Sequence, residues 1–155
     1  MSLEAVSQFL ATHAPDVRII PLSESSSTYT LSAEWGIAPA QIAKTLTLKV
    51  GERNVVLVAC GDSKLDNRKV KATLGGKATM LPAEQAAALT GHPAGGVCPF
   101  ALATPLPVYF DVQLKAYEEV VPAAGDTHAA IRIDPYRMAD LVQAEWVDVC
   151  RNSAS

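Results

Sequence analysis

Long apolar runs, clustered cysteines and an overall excess of positive charge are all missing from this sequence, and each absence removes a class of protein. The longest uninterrupted apolar stretches, such as Val55-Val56-Leu57-Val58-Ala59-Cys60, are about as long as one buried strand, whereas a membrane span needs about 20 apolar residues. No membrane is expected as a partner. The opening residues Met1-Ser2-Leu3-Glu4-Ala5-Val6 lack the basic start and apolar core of a secretory signal, so the expected location is cytoplasmic. Cys60, Cys98 and Cys150 are odd in number and far apart, which fits reduced thiols and offers no close pair for zinc. The three histidines and three cysteines spell no three-ligand metal pattern, and neither a metal nor any other cofactor is expected. What is present is 155 residues, 49% apolar and 19% charged, the composition of one compact domain spanning residues 1–155. A chain of that length buries roughly 70% of the surface its unfolded form exposes.

The net charge of −3 argues against a general nucleic-acid binder, but it is unevenly spread. Residues 44–77 hold Lys44, Lys49, Arg53, Lys64, Arg68, Lys69, Lys71 and Lys77 against Glu52, Asp62 and Asp66, a balance of +5, which leaves −8 on the remainder. Gathered on one face, this segment would suit a phosphate backbone; otherwise it is a solvated lysine-rich surface.

Leu3, Val6, Phe9 and Leu10 recur at helical spacing behind Ser2, so residues 2–13 read as an amphipathic helix closed by Pro15. Residues 17–20 read as a short strand, 23–30 as a polar turn stretch, 31–36 as a helical piece, and Pro39 opens another short helix. The alternating run 45–50 and the apolar run 54–60, joined by Gly51-Glu52-Arg53, form a hairpin central to the sheet. A basic helix at 66–74 ends at Gly75-Gly76, a strand follows at 78–81, and an Ala-rich helix at 82–89 stops at Gly91. Further strands are expected at 108–111 and 129–133, a last helix from Asp134-Pro135, and a closing segment at 146–149.

The segment Gly91-His92-Pro93-Ala94-Gly95-Gly96-Val97-Cys98-Pro99-Phe100 stands out. Paired glycines allow close backbone approach, and successive N–H groups form a concave donor site for a carbonyl oxygen or phosphate; the same composition also makes an ordinary tight loop. Its spacing is not a dinucleotide fingerprint. Cys98 with His92 or His128 raises a cysteine-nucleophile reading, against which a Cys between Val and Pro is an ordinary packing residue. Lys44 flanks a strand, where a lysine is normally solvated, and Asp111 ends an apolar strand, where it is either partly buried or makes a turn.

Five phrases occur in one order: Gln41-Ile42-Ala43-Lys44-Thr45-Leu46; Gly61-Asp62-Ser63-Lys64-Leu65-Asp66; Thr90-Gly91 with Gly95-Gly96-Val97-Cys98-Pro99-Phe100; Pro107-Val108-Tyr109-Phe110-Asp111; and Ala124-Gly125. With these the chain resembles the YbaK/ProX family of aminoacyl-tRNA deacylases, relatives of the editing domain inserted in bacterial prolyl-tRNA synthetases. The resemblance implies a single α/β domain with a curved, barrel-like mixed sheet flanked by helices, acting in trans on mischarged tRNA. It implies tRNA(Pro) bearing Ala, Cys, Ser, Thr or 2-aminobutyrate as substrate, prolyl-tRNA synthetase as the candidate partner, and a monomer. Lys44 matches the family's pocket lysine, and Gly95, Gly96, Val97, Cys98 and Pro99 match its glycine-to-proline loop, whose backbone holds the terminal adenosine and the ester. Many members carry Ser at the place of Cys98, so no Cys98 nucleophile is expected. Asp111 matches an acidic strand position, Gly125 a glycine of the opposite wall, with His128 near it. Tyr29, Leu46, Phe100 and Tyr109 are candidate wall residues, Val97 another, with core packing the alternative. Lys64, Arg68, Lys69 and Lys71 are the candidate tRNA contacts. An aminoacyl ester is already activated, so backbone donors and a placed water supply much of the rate, and in the family a ribose hydroxyl or the substrate side chain assists. The competing reading is a non-catalytic module of the same fold that binds tRNA or a synthetase.

Overall fold

The computed structural model describes residues 2–22, 33, 35–93 and 96–151. Helix α1 (Ser2–His13) leads into β1 (Ile20–Pro21), and a 3-10 turn at Pro39–Gln41 precedes the long hairpin of β2 (Ile42–Val50) and β3 (Arg53–Cys60). Then come α2 (Asn67–Leu74), β4 (Ala78–Met80), α3 (Ala83–Thr90) and β5 (Val108–Asp111). A 3-10 turn at Val112–Ala116, β6 (Val121–Pro122), β7 (Ala129–Ala130), α4 (Pro135–Val142) and β8 (Glu145–Val147) complete the order.

The main sheet runs β4-β2-β3-β5-β8, with β6 added to the start of β2. β2 pairs antiparallel with β3 and β4, while β3–β5, β5–β8 and β2–β6 are parallel. The expected mixed sheet is therefore present, but it is open: β4 and β8 end it without pairing to each other, which corrects the barrel-like expectation. The expected strand at 17–20 shortens to Ile20–Pro21, and that at 129–133 to Ala129–Ala130, where the two form a separate ribbon. The polar stretch 23–30 and most of the helical piece at 31–36 lie outside the described residues.

β3 is almost wholly apolar because both faces of the sheet are covered. On one face Val56, Val58 and Cys60 join Val6 and Leu10 of α1, Phe110, and Met138 of α4. On the other, Val55, Leu57 and Ala59 pack with Val70 and Leu74 of α2 and with Val147, Val149 and Cys150. Each buried side chain of this size contributes about 1.5–3 kcal/mol. Aspartates begin α2 and α4: Asp66 accepts from the amides of Arg68 and Lys69, and Asp134 from those of Tyr136 and Arg137. Gly75 and Gly91 end α2 and α3 in left-handed conformation at φ +86° and +78°.

Candidate functional site

The glycine loop grows out of a tight neck. Ala103 N–H donates to the Thr90 carbonyl at 3.0 Å and Thr104 N–H to that of Leu89 at 3.0 Å, so the chain returns at 103–104 to where it left α3. Within the loop His92, 1% exposed, donates from Nε2 to the Phe100 carbonyl at 2.7 Å. That bond fixes the tautomer, since a carbonyl only accepts, and leaves Nδ1 to accept from the Ser2 hydroxyl of α1. The far side of the loop lies against the turn after β6. Gly125 N–H donates to the Gly96 carbonyl at 3.1 Å, and a Cβ on Gly96 would stand 2.7–2.9 Å from backbone atoms of Asp126. Gly125 is in turn pressed on α1: its φ is +88° and a Cβ there would stand 2.7 Å from Ser2 Oγ. Asp126 accepts from the His128 amide at 2.8 Å, and the exposed His128 ring meets Thr127 Oγ1 at 2.9 Å. Gly96, Gly125 and His128 thus share one corner.

The Gly96 amide is engaged by the Pro93 carbonyl at 2.9 Å, whereas the amides of Val97 and Cys98 have no acceptor among the described residues. Backbone donors left open in this way cost free energy unless a ligand or water takes them. Cys98 does meet His92, Sγ to Nε2 being 3.6 Å. The pair is not a nucleophile and base, because Nε2 carries the proton given to Phe100 and has no lone pair for the thiol. Burial also pushes the Cys98 thiol up to about 12 and lowers the His92 pKa. Pro99 faces an apolar groove of about 300 Å³ shared with Phe9, Leu102, Leu106 and Leu141. Phe100 is fully buried against Phe9, with ring centroids 5.9 Å apart, and is a packing residue. Gly95 and Tyr29 lie outside the described residues.

A second corner holds Lys44. Its register partner Ala59 belongs to the core beneath α2, so the lysine projects on that face, with Leu46 and Tyr109 packed on the same side. Lys44 Nζ donates to the Ser63 carbonyl. The Ser63 hydroxyl donates to Gln113 Oε1 at 2.8 Å, and Gln113 Nε2 donates to the Arg151 carbonyl. Asp111 lies beneath, fully buried: Oδ1 accepts from the amides of Val149 and Cys150 at 3.0 and 3.2 Å, Oδ2 from that of Gln113 at 3.0 Å. A carboxylate so surrounded ties the closing segment to the sheet. Burial, and then the Asp111 charge, push the Cys60 and Cys150 thiols up to about 11 and about 12. Thr45, on the opposite face from Lys44, has a buried Oγ1 with no hydrogen-bond partner among the described residues.

Of the basic candidates, Lys64, Arg68 and Lys71 are exposed. Lys69 is engaged by Asp148 at 3.0 Å and by the Cys150 carbonyl at 2.9 Å, clamping α2 to the closing segment. The contacts of Ser2, Ser63, Thr45 and Gln113 have no signature in the sequence, where Ser2 reads only as a helix start, since Ser, Thr and Gln carry no pattern until the fold supplies their partners. Among the described residues no three His, Cys, Asp or Glu side chains gather as metal ligands would, and no helix is long and apolar enough to cross a membrane.

The family model described as the aminoacyl-tRNA editing domain matches residues 24–141. YwhH, an uncharacterized protein of Bacillus subtilis, is 37% identical over 155 residues, covering 98% of this chain and 99% of its own. A proline–tRNA ligase of Desulfovibrio desulfuricans is 28% identical over 137 residues, which are 87% of this chain but 23% of the ligase. Among solved structures, a candidate trans-editing enzyme for prolyl tRNA synthetase superposes with a TM-score of 0.89 at 27% identity, covering 97% of this chain and 98% of that one.

Proposed function

This chain belongs to the aminoacyl-tRNA editing domain family, and from that premise we propose that it is a trans-acting deacylase. Its substrate is mischarged aminoacyl-tRNA, with tRNA(Pro) carrying alanine, cysteine, serine, threonine or 2-aminobutyrate as the form removed. The observation that carries this reading is the family match itself, which spans both Lys44 and the glycine loop. The relatives named above support prolyl-tRNA synthetase as the source of the errors.

The chemistry asked of the protein is modest. Water adds to the ester carbonyl, and the carbonyl oxygen becomes an oxyanion. Collapse breaks the bond to the ribose oxygen, which takes a proton as the free amino acid leaves. The open amide of the half-buried Val97 is the donor we assign to that oxyanion, with Gly96 holding the loop at contact distance. Lys44 serves position and electrostatics at the tRNA end, Leu46 and Tyr109 line its side, and Gly125 and His128 the other. No protein side chain is assigned as general base. Lys64, Arg68 and Lys71 offer an exposed basic face for the acceptor stem. A second, size-selective site is needed because a synthetase pocket discriminates poorly against smaller side chains.

Single-turnover deacylation of tRNA(Pro) charged with proline and with each of the five noncognate amino acids tests this. One or a few noncognate esters should be lost with prolyl-tRNA spared, and Lys44→Ala should slow that loss by at least about tenfold. A panel left intact across several tRNAs would leave a binding module without turnover.

A further inference from the structure

A lysine ammonium on a flexible stem loses about 2 kcal/mol of rotamer freedom when fixed, so a lysine that must present its charge at one point needs a rigid acceptor. The acceptor here is the Ser63 carbonyl, and the residues around it are unusually constrained. Ser63 N–H donates to the Cys60 carbonyl at 3.0 Å, and the next carbonyl, that of Lys64, accepts from Arg151 N–H at 2.8 Å. Between them the Ser63 hydroxyl reaches Gln113 Oε1 at 2.8 Å. The Gln113 amide has only one workable orientation. Its NH2 faces the Arg151 carbonyl, which cannot donate, so Oε1 is left to receive the serine proton. The Gln113 backbone is itself pinned by the buried Asp111 at 3.0 Å.

We propose that Ser63 and Gln113 are positioning residues for Lys44: together they hold the carbonyl that fixes the ammonium. The proposal rests on the deacylase reading for its kinetic arm alone, and touches no substrate atom itself. It also explains why the closing segment, remote in sequence, is fastened beside Lys44, for Arg151 supplies the carbonyl that orients Gln113.

The test uses Ser63→Ala, Gln113→Met, which keeps bulk without hydrogen bonds, and Ser63→Thr, which keeps the hydroxyl. Single-turnover rates on the ester cleaved by the wild type should fall by about five- to tenfold in the first two, with half-saturating enzyme concentration little changed, and should be retained in Ser63→Thr. Placed in a Lys44→Ala background, Ser63→Ala and Gln113→Met should cause no further loss, because the group they act through is gone. A purely structural role would instead multiply the losses, and that result, or unchanged rates in the single variants, overturns the proposal. The ammonium itself gives an independent reading. The Nζ–H signal of Lys44, identified by its absence in Lys44→Ala, should be protected from exchange in the wild type and lost in both single variants. If no ester is cleaved by the wild type, the deacylase reading fails while this spectrum still decides the positioning: a signal retained in both variants refutes it.

Discussion

At the loop corner, Gly96 meets the turn at 125–126 backbone to backbone, while at the lysine corner the side chains of Lys44, Gln113 and Asp111 each hold main-chain groups and Ser63 bonds Gln113 side chain to side chain. The first arrangement forbids bulk at the contact. The second tolerates bulk and fails when a donor or acceptor is removed. In the deacylase we propose, the site is placed by the backbone on one side, where an oxyanion would need immobile donors. On the other it is placed by polar side chains, where a charge has to be aimed.

The largest effect is expected where the lysine corner is most deeply buried. Asp111→Ala leaves the amides of Gln113, Val149 and Cys150 without their acceptor in a site closed to water. Breaking so many charge-assisted bonds should cost about 3–5 kcal/mol of stability, read as a lowered urea midpoint. A variant as stable as the wild type would mean that the closing segment is not held from within, and the contrast between the corners would collapse.

Gly96→Ala probes the opposite corner. Gly96 is not among the glycines of positive φ, so the substitution strains no dihedral; it only inserts a methyl where Asp126 backbone atoms stand 2.7–2.9 Å away. The two strands of chain must part. The expected cost is about 1–3 kcal/mol, and the deacylation rate should fall out of proportion to it because the Val97 amide moves with the loop. Equal losses of rate in Gly96→Ala and in Val97→Ala would show that side chains, rather than backbone placement, govern this corner.

How legible each corner was in the sequence follows from the same difference. The loop announced itself through Gly95-Gly96 and two prolines, and the family phrases pointed to Gly125 as its neighbour, because glycine and proline constrain backbone directly. The hairpin, α1, α2 and β5 were legible from periodicity and caps, with Asp66 and Asp134 marking helix starts. The two-residue strand β6 lies below the length at which alternation is visible, and sheet closure depends on edges that no local pattern records. At the lysine corner Lys44, Asp111, Leu46 and Tyr109 could be named. Asp111 read as either partly buried and hydrogen-bonded or turn-making, and it is both: buried, it accepts from the Gln113 amide two residues on and from the amides of Val149 and Cys150 in the closing segment. Ser63 and Gln113 acquire meaning only through contacts of long sequence separation.

His92 is a side-chain fastener of the loop corner, and it gives the smallest and most specific effect. Its ring is buried and neutral, donating to Phe100 and accepting from Ser2, and burial lowers its pKa from the ordinary 6.5. The unfolded chain therefore binds a proton at His92 more readily than the folded one. Stability from this group is complete above pH 6.5 and declines as pH falls below it, by at most about 1.4 kcal/mol per pH unit. His92→Gln removes the titration and should flatten the difference between urea midpoints at pH 7.5 and pH 5.5, whatever its cost at neutral pH. Parallel slopes in the two proteins would mean that His92 titrates alike in both states, which a ring sealed beneath the loop cannot do. Because the titrating ring bridges α1 and the loop, the same loss of stability should appear first as faster amide exchange at Phe100 and its neighbours, while the amides held by Asp111 stay protected.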